Sequence, residues 1–377
     1  MIQIFSNSLG EDELHAIEKV FKSKWVGFGE ECKKFEKNFA EKIGSRKVLI
    51  TNNCTSTLFM SMKLLGIGPG DEVIVPSINF IGIPNAILSV GAKPIFADVD
   101  NKYLNILPSE IERLRNKNTK AVFILHYGGH PCNMDEIKEK CNGIYLLEDS
   151  ANSIVSKYKE KNCGTLGDLG CFSFDAMKFL VMGDGGAISI NNPEFMEKGE
   201  QVRYFGIKNR QSGIDSMKEN PQRWWEIDLA SPENRYTSND ILGSIANIQL
   251  EKLDSFIQKR KEIWETYQKE LKNIEGIGIP PEPLPDTKSS YYLYWIRVKN
   301  NLRDKLAEFL IKDGIYCTFR YYPLHLISYY SSNQRLPNAE EANKEILNIP
   351  LHQNLSNEDI QKIVSAIKTF MNNQGKN

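Results

Sequence analysis

Short apolar runs alternate with amphipathic stretches along the first two thirds of the chain. DEVIVPS (71–77), KAVFILHYG (120–128) and GIYLLEDS (143–150) are almost continuously apolar, as buried strands are. CKKFEKNFAEKI (32–43) and MDEIKEKCN (134–142) repeat apolar residues three and four positions apart, as helices do. Buried strands separated by amphipathic helices favour a mainly parallel sheet with helices on both faces. We therefore predict an α/β fold with a three-layer α/β/α domain.

The pattern changes near residue 248. IQLEKLDSFIQKRKEIWETYQKELKN (248–273) has the spacing of one long amphipathic helix. A Pro-rich loop follows, and after it come a strand-like segment (291–300), a helical segment (303–314) and a terminal helix (357–373). We predict a large domain at residues 1–248 and a smaller α+β domain at 249–377, with about the first 20 residues packed on the small domain.

Composition and charge argue against some classes of binding partner. The 377 residues carry a net charge of -1 and are 41% hydrophobic, with no long basic run, which argues against nucleic acid or an anionic membrane as the main partner. No apolar stretch approaches the roughly 18–20 residues that span a bilayer, and the start lacks a signal-peptide pattern. Seven scattered cysteines without a CxxC pair indicate neither a disulfide framework nor a zinc site. These features favour a cytoplasmic protein.

Two charged side chains lie in unusually apolar surroundings. Asp149 follows the apolar run of GIYLLEDS, so it is predicted at the end of a strand, where ligands of parallel sheets bind. It is either a helix cap or salt-bridge partner, or a carboxylate that pairs with a cationic ligand. Lys178 lies in CFSFDAMKFLVMGDGG. It either reaches the surface, or it is a desolvated amine whose lowered pKa makes it a nucleophile towards carbonyls.

Three further features lie near predicted strand ends. Thr55 and Ser56, in NCTST, join a strand to a helix and suit either an anion site or plain helix capping. Ser173 adds a hydroxyl five residues before Lys178, and Phe80 is either a stacking platform or a packed aromatic ring. Amine, carboxylate, anion cup, hydroxyl and flat ring together are what a site for pyridoxal 5′-phosphate (PLP) needs.

The chain resembles the DegT/DnrJ/StrS family of PLP-dependent sugar aminotransferases, which belong to the aspartate aminotransferase superfamily (fold type I). The resemblance covers nearly the whole chain and rests on motifs in the expected order: FxxxFA (35–40), NNCTSTL, GPGDEVIVPSINF, GAKPIFADVD, HYGGHPCNMDEI, EDSANS, GTLGDLGCFSF, Lys178 with GDGGA, IQLEKL and YYPLH. It implies a fold type I large domain and PLP, alternating with its pyridoxamine form (PMP), as the cofactor.

The resemblance also implies residue roles. Lys178 is the lysine that binds PLP covalently, and Asp149 is the partner of the ring nitrogen. Asn152 stands where the family usually has a glutamine near the ring's phenolic oxygen. The remaining implied contacts, with the phosphate and the ring face, are Thr55, Ser56, Ser173 and Phe80. Relatives with histidine in place of the lysine are dehydratases, so Lys178 favours transamination.

The sequence departs from the family pattern at two places beside these residues. Cys54 replaces the usual glycine before the anion cup, and Asp175-Ala176-Met177 replaces the common aromatic-Pro-Thr before the lysine. Specificity for the substrate is expected to depend on the second departure and on Trp224 and Trp225. Those tryptophans stack on a nucleotide or sugar, or pack at a subunit interface.

Family members form homodimers that share their active sites. The resemblance implies that the segment from Asn234 to Asn239 contacts the phosphate of the neighbouring subunit, with Asn234, Arg235 and Thr237 as candidates. His325, in YYPLH, either contacts substrate or packs at the interface between the lobes.

Three other functions are less consistent with the sequence. A dinucleotide-binding dehydrogenase needs glycines between a strand and a helix, whereas a strand follows GIGPGDE. A metallohydrolase is suggested by His126 and His130, which are four residues apart. They lie in a strand and a glycine loop rather than in a zinc-binding helix, so no metal is expected. A non-catalytic sensor is disfavoured because the lysine is retained and no basic helix-turn-helix extension is present.

The expected function is amination of a nucleotide-linked keto-deoxysugar, with L-glutamate as the amino donor. Such a reaction belongs to the biosynthesis of bacterial surface glycans such as the O-antigen of lipopolysaccharide, or of secondary metabolites. The alternative within the family is another small carbonyl substrate, either a keto-cyclitol or a phosphorylated triose.

Overall fold

The computed structural model describes residues 1–208, 225–330 and 332–374. Within them the strands, in chain order, are β1 (Val48–Thr51), β2 (Glu72–Pro76), β3 (Lys93–Ala97), β4 (Thr119–Leu125), β5 (Tyr145–Asp149), β6 (Lys157–Tyr158), β7 (Lys161–Asn162), β8 (Leu169–Ser173), β9 (Gly186–Ile190), β10 (Ile277–Gly278), β11 (Thr287–Lys288), β12 (Tyr294–Val298) and β13 (Ile346–Ile349).

The α-helices of the described residues, in chain order, are α1 (Glu11–Ser23), α2 (Glu30–Ile43), α3 (Cys54–Leu64), α4 (Gly82–Ser89), α5 (Pro108–Leu114), α6 (Met134–Lys140), α7 (Met196–Arg203), α8 (Asp240–Leu271), α9 (Arg303–Lys312), α10 (Pro337–Glu345) and α11 (Asn357–Gln374). None of the helices in the described residues is both long enough and apolar enough to cross a membrane.

A seven-stranded sheet forms the centre of the fold, in the order β1-β9-β8-β5-β4-β2-β3. The pairs β2–β3, β2–β4, β4–β5 and β5–β8 are parallel. Strand β9 runs antiparallel to both of its neighbours, β1 and β8. The predicted mainly parallel α/β architecture is therefore confirmed, with one antiparallel strand that the hydrophobic pattern did not reveal.

Helices cover both faces of this sheet, so both faces are buried. Alternate residues of each strand point to opposite faces. In β4, Phe123 and Leu125 belong to the large core against α2, α3 and α4, whereas Val122 and Ile124 belong to a second core against α5 and α6. Burial on both faces explains why the strands are continuously apolar rather than alternating.

Helix α8 joins two cores. Its first half contributes Ile245 and Leu253 to the large core, and its second half contributes Trp264 and Tyr267 to a separate core around the antiparallel sheet β10-β12-β13. The predicted boundary at residue 248 lies inside this helix, and the division into two domains stays a prediction.

The first residues of the chain contact the C-terminal part. The backbone N–H of Ile2 donates to the carbonyl of Gly314 at 2.8 Å, and Ile2 bridges to Ile315. The His352 ring lies 3.2 Å from the carbonyl oxygen of Gln3. Helix α1 then packs along α8.

Candidate active site

A pocket of about 220 Å³ lies at the carboxyl edge of the large sheet. Four parts of the chain form it: the start of α3, Phe80 in the loop after β2, the segment around β5 and β8 with the loop that follows, and a loop of the C-terminal part. Its lining residues are Asn53, Cys54, Thr55, Leu58, Phe80, Asp149, Ala151, Ser173, Asp175, Met177, Lys178, Asp184, Arg320 and Tyr321.

Lys178 is held by a turn that follows β8. Its backbone N–H donates to the carbonyl of Asp175 at 2.8 Å, and the flanking Phe174 and Phe179 are fully buried. The lysine itself is only 8% exposed, and its Nζ lies 3.3 Å from the hydroxyl of Tyr292. The apolar neighbours in the sequence therefore fix the loop, while the amine points into the pocket rather than to solvent.

The charge state expected for Lys178 from its sequence is wrong. Burial lowers the pKa of the amine, but Tyr292, Tyr321 and Asp149 favour the charged form more strongly, so that the pKa of Lys178 is raised overall. The sequence showed the apolar neighbours but not these polar groups, which lie far from Lys178 along the chain.

Asp149 ends β5 and is 4% exposed. Its Oδ1 accepts the backbone N–H of Ala151 at 3.0 Å. Burial raises the pKa of the Asp149 carboxyl, against smaller lowering contributions from Ala151, Lys178 and His126. A cation placed beside this buried carboxylate would favour its ionised form.

The N-terminus of α3 points into the pocket. Asn53 caps the helix, because its side-chain oxygen accepts the backbone N–H of Ser56 at 2.8 Å. The hydroxyl of Ser56 is used inside the cap, donating to Asn52 at 2.6 Å, and Ser56 does not line the pocket. Thr55 is exposed and lines it, as does the buried Ser173. The helix N-terminus with Thr55 and Ser173 suits an anion.

Phe80 and Asn152 lie in different environments. Phe80 is 48% exposed at the pocket wall, with its ring centroid 6.1 Å from that of Tyr321. Asn152 is 1% exposed and does not line the pocket, and neither polar atom of its side chain has a hydrogen-bond partner among the described residues. Because buried amides are normally paired, Asn152 retains capacity for a further polar contact.

The glycines after Lys178 allow two backbone segments to approach each other. A Cβ atom on Gly186 would lie 2.5 Å from the backbone of Asn53 and Cys54. Glycine at this position lets β9 pass directly against the start of α3.

The other predicted site residues lie outside this pocket. Asn234 and Arg235 are exposed, and the Arg235 side chain donates to Thr237 at 3.1 Å. Trp225 is 63% exposed, and Trp224 lies outside the described residues. His325 is buried, with its Nδ1 2.6 Å from the hydroxyl of Ser77, so its position fits the lobe-interface alternative better than substrate contact.

Sequence reasoning missed two residues that line the pocket and one that contacts Lys178 from behind it. Tyr292 contacts the lysine, and Arg320 and Tyr321 line the pocket. Arg320 and Tyr321 directly precede or belong to the YYPLH motif, so this motif carried a usable signal. For Tyr292 no local signal exists, since it lies 114 residues from Lys178.

His126 and His130 occupy separate environments. His126 accepts the backbone N–H of Cys132 on Nδ1 at 3.0 Å, which leaves Nε2 to donate to Glu148 at 2.9 Å. His130 instead lies among aromatic rings, with that of Trp295 at 5.4 Å.

Among the described residues, one group of side chains has metal-ligand spacing: His126, Glu148 and Cys163, whose ligand atoms lie within 4.8 Å of one another. The Glu148 oxygens, however, accept backbone N–H groups of Gly164 at 2.7 Å and of Leu166 and Gly167 at 2.6 Å. These bonds give the cluster a structural role in fixing the loop between β5 and β8.

The pocket fits PLP. It brings together an amine and a carboxylate on neighbouring strand ends, a helix N-terminus for a phosphate and an aromatic ring at the wall, and it adjoins Asn152 with its unpaired amide. A large, mainly parallel sheet with this arrangement at its carboxyl edge defines a fold type I PLP-dependent transferase.

The chain belongs to the DegT/DnrJ/EryC1/StrS aminotransferase family, which matches residues 7–368. The family is PLP-dependent, and the protein is an aminotransferase. The chain is 39% identical, over 98% of its length and 96% of the relative's, to dTDP-4-dehydro-2,3,6-trideoxy-D-glucose 4-aminotransferase of Saccharopolyspora spinosa. It is 31% identical, over 98% of each chain, to GDP-perosamine synthase of Escherichia coli O157:H7.

The same relationship appears in three dimensions. The crystal structure of the aminotransferase TlmJ from Streptoalloteichus hindustanus superimposes with a TM-score of 0.94, at 42% sequence identity, and the match covers 100% of both chains. The expectation of the family, of the fold and of the reaction class is confirmed.

Proposed function

We propose that this aminotransferase converts a nucleotide-linked keto-deoxysugar into the aminosugar, with L-glutamate as the amino donor. The observation that carries the proposal is the pairing of Lys178 with Asp149 in one pocket, together with similarity along the whole chain to a relative named for a dTDP-linked 4-keto sugar. Amination of a nucleotide sugar places the protein in the biosynthesis of a surface glycan or a secondary metabolite.

Each residue of the site has a separate role in holding the cofactor. Asp149 would pair with the ring nitrogen, and the N-terminus of α3 with Thr55 and Ser173 would bind the phosphate. Phe80 would lie against one face of the ring. Asn152 contributes the amide that has no partner in its buried position. Ser56 acts indirectly, through the Asn53 cap that shapes the first turn of α3.

When bound, PLP withdraws electrons from the carbon that loses a proton. With PLP bound, the Nζ of Lys178 in its neutral form would accept the proton that the α carbon of the donor loses, and it would move a proton in the opposite direction when the sugar is aminated. The Asp149 carboxylate would hold positive charge on the ring. Each half of the reaction thus uses the same amine.

Arg320 is proposed to bind an anionic group of the substrates. Its guanidinium lies 4.5 Å from the ring centroid of Phe5 and 3.1 Å from the sulfur of Met177, the residue directly before Lys178. No carboxylate of the described residues forms an ion pair with it. A half-buried guanidinium whose one side-chain hydrogen-bond partner among the described residues is a sulfur is available for a carboxylate or phosphate oxygen.

A homodimer with shared active sites completes the proposal. Asn234, Arg235 and Thr237 lie outside the pocket of their own chain and are accessible, which supports a contact with the neighbouring subunit's pocket.

The test is incubation of the purified protein with PLP, glutamate and a panel of nucleotide-linked 3-keto and 4-keto sugars, scored by mass spectrometry. We expect amination of at least one sugar, a visible absorption band in the wild type, and loss of both in Lys178→Ala. Failure to aminate any sugar would overturn the substrate class, and normal turnover by Lys178→Ala would overturn the assignment of the lysine.

A further inference from the structure

Among the described residues, the amine of Lys178 has one hydrogen-bond partner, a hydroxyl from the C-terminal part of the chain. Nζ lies 3.3 Å from Oη of Tyr292 and 4.6 Å from the centre of its ring. Tyr292 does not line the pocket but lies behind the lysine. It lies two residues before the start of β12, whereas Lys178 follows β8 of the large sheet.

Tyr292 is itself held rigidly. Its side chain is fully buried, and its ring stacks on Phe5 with centroids 5.4 Å apart and lies 6.0 Å from Phe179. Its backbone N–H donates to the carbonyl of Gly128 at 2.9 Å, and its carbonyl accepts from the buried guanidinium of Arg260 at 2.8 Å. A side chain fixed at both backbone and ring can direct a flexible partner, and lysine has four rotatable side-chain bonds.

We propose that Tyr292 is a positioning residue that holds the free amine of Lys178 through its hydroxyl whenever the lysine is not bonded to the cofactor. The proposal rests on the proposed function, because it matters only where Lys178 is the lysine that binds PLP and transfers protons. A neutral tyrosine oxygen accepts one N–H of the ammonium and so favours the charged form, and it fixes the direction of the amine.

Several groups face the amine and share in setting its charge. They are Tyr292, Tyr321 and Asp149, and the thiol of Cys54 lies within electrostatic range. Replacement of Tyr292 by phenylalanine removes one oxygen and leaves the ring stack and the other groups in place. The expected change in the lysine is therefore confined to its hydrogen bond.

Two measurements separate positioning from a structural role. The first is the rate at which the full-length protein without cofactor captures PLP, followed as growth of the visible band between about pH 6 and about pH 10. In Tyr292→Phe a larger fraction of Lys178 is neutral, so capture at any one pH is expected to be several-fold faster, up to about tenfold, as for a pKa lower by one unit. Lys178→Ala shows whether this band depends on the lysine at all.

The second measurement is the single-turnover rate with glutamate and with glutamate deuterated at the α carbon. The misdirected amine is expected to slow proton transfer by about tenfold and to raise the isotope effect. A merely structural defect would slow both PLP capture and the single turnover. The proposal requires faster capture of PLP and a slower single turnover. The matched control is Tyr294→Phe, which removes a buried hydroxyl two residues away that has no hydrogen-bond partner among the described residues.

The proposal is overturned if Tyr292→Phe captures PLP at the wild-type rate, if its single-turnover rate is unchanged, or if both rates fall together. Should the phenylalanine variant fail to fold, a fluorotyrosine at position 292 keeps the ring and hydroxyl with a weaker acceptor oxygen, and intermediate shifts in the same directions are expected. No shift in that variant also overturns the proposal. If Lys178→Ala still captures PLP with the same band, the proposed function itself fails, which distinguishes the two outcomes.

Discussion

Lowering the pH from about 7.5 to about 5 should destabilise the folded protein through one buried imidazole, that of His130. The residue is 1% exposed, and its ring packs against those of Tyr103 at 5.9 Å and Trp295 at 5.4 Å. Neither ring nitrogen has a hydrogen-bond partner among the described residues. Burial without a compensating partner penalises the charged form and lowers the pKa of His130 to about 4.

The size of the effect follows from the difference between the folded and unfolded pKa of His130. Because the folded pKa is the lower one, the unfolded chain takes up a proton first as the pH falls. The stabilisation is complete above the ordinary pKa of 6.5 and is lost as the pH falls towards 4. Between about pH 7.5 and about pH 5, proton uptake by the unfolded chain lowers the free energy of unfolding by about 2 kcal/mol.

The assay is urea unfolding at fixed protein concentration and at both pH values, for the wild type and for His130→Gln. Glutamine does not titrate, so we expect the variant to lose about 2 kcal/mol less than the wild type on acidification. His352, whose pKa is also lowered to about 4, is present in both proteins and cancels in the comparison. Equal losses in the two proteins would refute the assignment of a neutral, buried His130.

Three further predictions concern the pocket. Asp149→Asn should bind PLP but slow the half reaction with glutamate on the order of a hundredfold, because a neutral amide cannot hold charge on the ring; single-turnover absorbance measures this. Arg320→Gln should weaken binding of an anionic substrate by about tenfold to a hundredfold, with partial recovery in Arg320→Lys; unequal effects on glutamate and on the nucleotide sugar would identify the bound anion. Mixed dimers of Lys178→Ala and Arg235→Ala should regain activity that neither variant has alone, and absence of recovery at equal mixing would contradict a shared active site.

Local pattern was sufficient for most of the fold. Strand β4 lies within the run predicted at 120–128 to within one residue, and α2 and α11 match their predicted segments closely. These elements are long or continuously apolar, so burial and periodicity agree. Strand β9 was not predicted, because GAISI is short and its antiparallel direction depends on pairing with β1 and β8 rather than on its own residues.

In the candidate site, too, local features could be predicted from the sequence and tertiary contacts could not. Lys178 and Asp149 were found because each lies next to an apolar run at a strand end, where local sequence already indicates burial. The electrostatic state of Lys178 was not found, because Tyr292 and Tyr321 approach it from the C-terminal part of the chain. Sequence spacing carries no information on a contact that only tertiary packing creates.

The packing of α8 against the segment before β12 therefore affects the active site as well as the stability of the fold. Arg260 lies in the second half of α8 and is buried. Its guanidinium donates to the carbonyls of Tyr291, Tyr292 and Leu351. The hydrogen bonds of Arg260 fix the segment that presents the Tyr292 hydroxyl to Lys178. Tyr292 packs in the large core with Phe179, which is adjacent to Lys178, and its backbone is bonded to α8 through Arg260, so a shift of α8 would move the tyrosine relative to the lysine. Substitutions along α8, remote from the pocket, should for this reason alter the reactivity of Lys178 while leaving its own loop intact.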